Sequence, residues 1–103
     1  MTTSEEHKKY KPQTRPLKGK FGVYISPPIL TADGFEDALI GYGQQFDTPV
    51  AIYDSERCMS ILELRDGMTE EEAREYFEFN VLGSYVGKST PIFINTFIGE
   101  NHA

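Results

Sequence analysis

The chain of 103 residues has a single cysteine, Cys58. It forms no internal disulfide and suits a reducing compartment. The two histidines, His7 and His102, lie near opposite ends. With one cysteine between them they make no zinc-type ligand set, and neither is expected to be held rigidly enough for general-base work, which needs fixed hydrogen-bond geometry. No apolar run approaches the roughly 18 residues that a membrane-crossing helix needs. The N-terminus is polar and charged, unlike a secretory signal peptide. No serine lies in a Gly-x-Ser-x-Gly elbow. Gly41-Tyr42-Gly43 lacks the further glycine and the lysine of a nucleotide loop. Gly83 and Gly87 have Gly-x-x-x-Gly spacing, but outside a membrane this marks close helix packing or a helix end. These gaps leave no catalytic residue, metal ligand set or cofactor to assign.

What remains is ordinary globular material: 39% hydrophobic, 13% aromatic and 25% charged residues. That is enough apolar surface for one modest core and too much for a wholly disordered chain. The charge is uneven. Residues 1–20 hold six cationic side chains against Glu5 and Glu6, a net of +4, whereas the other residues hold four cationic and fourteen acidic ones, a net of −10. The sum is the overall −6. An acidic body is repelled by phosphate backbones, so nucleic acid is a partner only through the tail. The bland alternative is that the tail only solubilises.

Residues 1–19 read as a flexible basic tail, with Pro12 and Pro16 among many charges and little apolar periodicity. Residues 20–98 read as one α+β domain and 99–103 as a frayed end. Phe21, Val23 and Ile25 alternate as in a half-buried strand that Pro27 and Pro28 end. Asp33, with Glu36 three residues on, suggests a capped helix whose inner face is Phe35, Ala38, Leu39, Tyr42 and Phe46. Gly41 and Gly43 weaken that helix by about 1 kcal/mol each, so it either packs closely there or stops near Ile40. Residues 48–53 alternate as a second strand. Asp54 caps a short helix from Ser55 to about Leu64, with Cys58, Ile61 and Leu62 inward and Asp66-Gly67 closing it. The strongest local signal is Thr69-Glu70-Glu71-Glu72, a capping box with three glutamates at the positive end of the helix dipole. That helix is expected to run to about Tyr85, burying Ala73, Tyr76, Phe77, Asn80 and Val81. A last strand follows over residues 91–97. The order is β-α-β-α-α-β, a three-stranded sheet packed by about three helices.

Several strings stand in sequence between Gly34 and Ile94: Gly34-Phe35-Glu36-Asp37-Ala38, Val50-Ala51-Ile52-Tyr53-Asp54, Asp66-Gly67-Met68-Thr69-Glu70-Glu71-Glu72-Ala73, Glu75-Tyr76-Phe77-Glu78-Phe79-Asn80, Gly83-Ser84-Tyr85-Val86-Gly87 and Thr90-Pro91-Ile92-Phe93. Together they resemble a family of small, uncharacterised accessory proteins of bacteriophages and prophages. The resemblance covers about sixty residues and omits the basic tail. It implies a protein at work in the cytoplasm of an infected or lysogenic bacterium. It implies no activity, cofactor or catalytic residue.

Candidate sites follow from the placement of polar groups. Asn80, on the expected buried face, must be hydrogen-bonded. Either it ties down a loop or strand edge, or it joins Asp37, Tyr53, Asp54 and Tyr85 in a polar pocket. Carboxylates such as Asp33, Glu36, Asp37, Asp54 and Glu78 would have to converge to hold a metal or act as an acid–base pair. Capping already occupies Asp33 and Asp54, and no calcium-loop spacing is present. Phe79 points away from the Tyr76–Phe77 face. It is either covered core or, with Glu71, Glu75 and Glu78, part of an exposed partner-binding surface. Cys58 reads as a buried structural thiol. The favoured function is a non-enzymatic protein that binds and modulates a host or phage protein through an acidic, aromatic-containing surface. One alternative is a small-ligand or metal-dependent enzyme using the carboxylate and amide pocket; another is nucleic-acid tethering by the tail. An exposed sheet edge would also allow a homodimer.

Overall fold

The structure, a computed structural model, describes residues 10–26 and 28–96. It is α+β, with a three-stranded sheet, a two-stranded sheet and two α-helices. Strand β1 (Pro12–Arg15) pairs antiparallel with β2 (Ile29–Ala32), Pro12 opposite Ala32 and Arg15 opposite Ile29. A single 3₁₀ turn, Glu36–Ala38, leads into β3 (Leu39–Gln45). A two-residue turn then joins β3 to β4 (Thr48–Asp54). Helix α1 (Ser55–Asp66) and helix α2 (Glu70–Tyr76) follow, and α2 runs on as a π-helical segment, Phe77–Leu82. Strand β5 (Ile92–Ile94) closes the larger sheet, whose order is β3-β4-β5. β3 and β4 are antiparallel, β4 and β5 parallel.

Local chemistry starts and stops the helices. The Asp54 carboxylate accepts the backbone N–H groups of Glu56 (2.9 Å) and Arg57 (3.2 Å), two donors that the first turn leaves without partners. Gly67 ends α1 in the left-handed region, φ 70°. At α2 the capping box is complete: Glu72 N–H donates to the Thr69 hydroxyl at 3.1 Å, and Thr69 N–H donates to the Glu72 carboxylate at 2.9 Å.

The core lies between the two sheets and the helices. Ala38, Ala51, Cys58 and Ala73 are wholly buried, and their small side chains let four elements approach closely. Larger groups fill the rest: Phe35, Tyr53, Leu62, Phe77 and Val81. Phe93 of β5 stacks on Tyr53 (5.5 Å between ring centroids) and meets Phe77 edge-on (5.3 Å). Such pairs add about 0.5–1.5 kcal/mol to the burial itself.

The sequence expectations hold best after residue 48. The second strand, the Asp54 cap, the α1 stop and the capping box all stand where the residues place them. Before residue 48 three corrections are needed. Residues 12–15, assigned to the flexible tail, form β1; its alternation is too polar to announce a strand, and its partner is distant in sequence. Residues 21–26 form no strand: only Tyr24 bridges, to Lys18, and Phe21 and Val23 face solvent. The helix expected over residues 35–46 is a 3₁₀ turn followed by β3. Asp33 does not cap it but meets the Arg15 guanidinium at 2.7–2.9 Å, beside the two-stranded sheet. Gly41 and Gly43 lie in β3, opposite Ile52 and Val50; a Cβ on Gly43 would stand 3.1 Å from Ile52 Cδ1. Gly43 therefore gives Ile52 room on the sheet, whereas a Cβ on Gly41 would meet nothing within 4 Å.

A further correction concerns the last helix, which ends at Leu82 rather than Tyr85. In its final segment Gly83 N–H bonds to Glu78 C=O, five residues back, at 3.1 Å. The extra residue per turn rotates Val81 to the centre of the buried side and carries Asn80 out to solvent. The expected last strand is shorter, Ile92–Ile94; residue 97 and the expected frayed end, 99–103, lie outside the described residues, as do residues 1–9 of the tail.

Candidate binding surface

The exposed side of the α2 and π-helical segment carries acid at its start and apolar groups at its end. Glu71, Glu75 and Glu78 are exposed. Phe79 keeps 77% of its surface in solvent, and Leu82 is about half exposed. The buried side, Ala73, Phe77 and Val81, fixes this outward presentation because it is anchored in the core. Of the two alternatives for Phe79, the structure has the exposed one.

Beyond Leu82 the chain turns through residues 83–90 and displays Tyr85, 78% exposed. Thr90 organises this loop: its hydroxyl accepts the Val86 N–H at 2.9 Å and donates to Gly87 C=O. Gly87 sits at φ 107°, a conformation that a side chain would strain. Tyr85, Gly87, Lys88 and Thr90 form one wall of an open groove; Gln45, Phe46, Asp47 and Thr48 at the β3–β4 turn form the other. Lys88 Nζ lies 4.0 Å from Asp47 Oδ1 across it. Phe46, at the tip, is 93% exposed and adopts φ 57°. A bulky residue in the left-handed region is a true outlier.

The five residues proposed for a polar pocket are not gathered in that groove; Tyr85 alone lines it. Tyr53 is in the core, where its hydroxyl accepts the Ala32 N–H at 2.8 Å. Burial, with Glu36, Cys58 and Asp33 nearby, pushes its pKa up to about 12 against the lowering effect of that hydrogen bond. Asp54 is engaged as the α1 cap. Asp37 is exposed on the 3₁₀ turn, and Asn80 is exposed on the π-helical segment. The expected burial of Asn80 fails because the wider π-helical turn carries it to the solvent side. Among the described residues no three His, Cys, Asp or Glu side chains stand together in a metal-holding group.

Cys58 is buried as expected, and desolvation, with a smaller contribution from Asp54, pushes its thiol up to about 12. Two tail cations are already engaged: Arg15 with Asp33, and Lys18 over the Tyr24 ring at 5.3 Å. The sequence gives no sign that Phe46 is exposed, because helical spacing places it on an inner face with Phe35 and Tyr42. Its turn, Phe46-Asp47, has none of the Asn-Gly or Gly-x signature of two-residue hairpins. Among the described residues no helix is long and apolar enough to cross a membrane.

Comparison of the chain with models of protein families, with curated proteins and with solved structures finds no match.

Proposed function

We propose that this is a non-catalytic accessory protein of the bacteriophage type, which acts in the cytoplasm of an infected or lysogenic bacterium by docking on a host or phage protein. The observation that carries this is the exposed Phe79 ring among Glu71, Glu75 and Glu78. An aromatic ring held in water on a rigid helix gives up roughly 1.5–3 kcal/mol of hydrophobic free energy until something covers it. Aromatic rings, phenylalanine included, are enriched at the cores of protein interfaces, inside a polar rim. The surrounding carboxylates select a basic surface with an apolar socket and speed its approach at low salt. Basic sites on nucleic-acid enzymes have that character, and covering one is a direct means of modulation.

The test is co-purification from infected cells, with the intact protein compared against Phe79→Ala and against Glu71→Gln/Glu75→Gln/Glu78→Gln. One stoichiometric partner is expected. Phe79→Ala should weaken it at every salt concentration, and the glutamine variant should flatten its salt dependence. A partner retained equally by all three proteins, or none across salt conditions, removes the proposal.

A further inference from the structure

We propose that β3 is the seam of a symmetric homodimer, two copies pairing β3 with β3 antiparallel to make one continuous six-stranded sheet. The order β3-β4-β5 leaves the outer edge of β3 without a partner strand among the described residues. β3 has seven residues, a length of about 24 Å at 3.4 Å per residue. The opposite edge, β5, has only three. An edge of this length presents a row of unpaired N–H and C=O groups.

Edge strands are normally protected by lysine, proline or inward-pointing charge. β3 has none of these: its sequence is LIGYGQQ. Its one bulge lies between Leu39 and Gly41, at the end of the strand, and leaves Gly41 to Gln45 in regular register. The absence of charge also selects the occupant. The chain carries −6, so copies repel one another wherever their acidic faces meet. An uncharged strand is where two copies can approach without that cost, whereas a basic foreign partner is drawn to the glutamates of α2.

The flank of the strand is suited to self-pairing. Ile40 and Tyr42 are about half exposed. Next to Tyr42, Gln44 and Pro49 is a hollow of about 520 Å³, walled on its far side by Phe21, Val23 and Tyr24. These three side chains are exposed, Phe21 at 89%. An antiparallel pairing centred on Tyr42 sets Tyr42 opposite Tyr42 of the second copy, beside this hollow. It sets Gly41 opposite Gly43 of the second copy on the other face, with no side chains to clash. The patch is its own complement, as a two-fold interface requires.

Sedimentation equilibrium of the purified full chain over a range of concentrations should give a monomer–dimer equilibrium. Tyr42→Lys and Tyr42→Glu, each checked for folding by circular dichroism, should sediment as monomers, because like charges then face each other across the axis. Mixed together, they should recover the dimer. Tyr42→Cys should be joined into a covalent dimer by a short bis-thiol cross-linker, since directly opposed Cβ atoms lie about 4.5–5.5 Å apart; the buried Cys58 does not compete. A wild-type chain that stays monomeric, as it would if the edge awaits a foreign strand, overturns the proposal. So does a dimer that persists in both charged variants, or a mixture that stays monomeric.

Discussion

The hydroxyl of Tyr53, in the central strand of the larger sheet, accepts the backbone N–H of Ala32, in the smaller sheet, at 2.8 Å. Both residues are almost wholly buried, so this bond joins the two sheets inside the core. Replacing Tyr53 by Phe keeps the stack on Phe93 but leaves a buried N–H without a partner. The expected loss is about 1–3 kcal/mol, read as a lower urea midpoint with an unchanged slope. A stability equal to wild type would show that the two sheets are held together by packing alone.

The helix caps make a second, independent set. Asp54→Ala and Thr69→Ala each remove a side-chain acceptor from a first turn. Each should lower stability by about 1 kcal/mol. The caps serve different helices and share no hydrogen bond, so the double variant should lose close to the sum of the two. Chemical denaturation of the four proteins checks this.

Alkali should destabilise the fold. Burial raises the Cys58 thiol from 9.0 to about 12 and the Tyr53 phenol from 10.0 to about 12, and it also raises Tyr10. Above about pH 9 the unfolded chain therefore releases protons that the folded chain keeps. The stabilising effect is complete below that point and is lost as pH rises toward about 12. Melting temperatures measured from neutral pH upward should fall beyond about pH 9, and Cys58→Ala should soften the first part of the fall. For the same reason a thiol reagent should modify Cys58 in the unfolded chain and leave it untouched in the native one.

Phe46 offers a test in the stabilising direction. Its left-handed backbone costs roughly 1–2 kcal/mol, and its exposed ring recovers little of that by packing. Phe46→Gly should raise the melting temperature, by an amount corresponding to about 1 kcal/mol after the extra chain entropy of glycine is subtracted. A decrease would mean that the ring packs in solution more than its exposure indicates.

Short-range chemistry accounts for the legible part of this protein. Asp54, Gly67 and the Thr69–Glu72 box each act on backbone groups within a few residues, so their effects are readable without knowing what lies across the fold. The alternation over residues 48–53 is legible for the same reason. The sequence leaves Phe79 between two alternatives, because outward direction on a helix does not reveal whether another element covers it.

Tertiary structure decided the rest. The spacing of Phe35, Ala38, Leu39 and Tyr42 suits a helix, yet β4, next along the chain, offers residues 39–45 an antiparallel ladder broken only by a bulge between Leu39 and Gly41, and those cross-strand hydrogen bonds prevail over helical periodicity. Pro12–Arg15 becomes a strand only because Ile29–Ala32 lies beside it. One widened turn moves Asn80 from the expected interior to the surface and dissolves the anticipated pocket. The groove between Phe46 and Tyr85 joins two turns far apart in the chain. Contacts between residues distant in sequence leave no local periodic trace, so they appear only once the chain is folded.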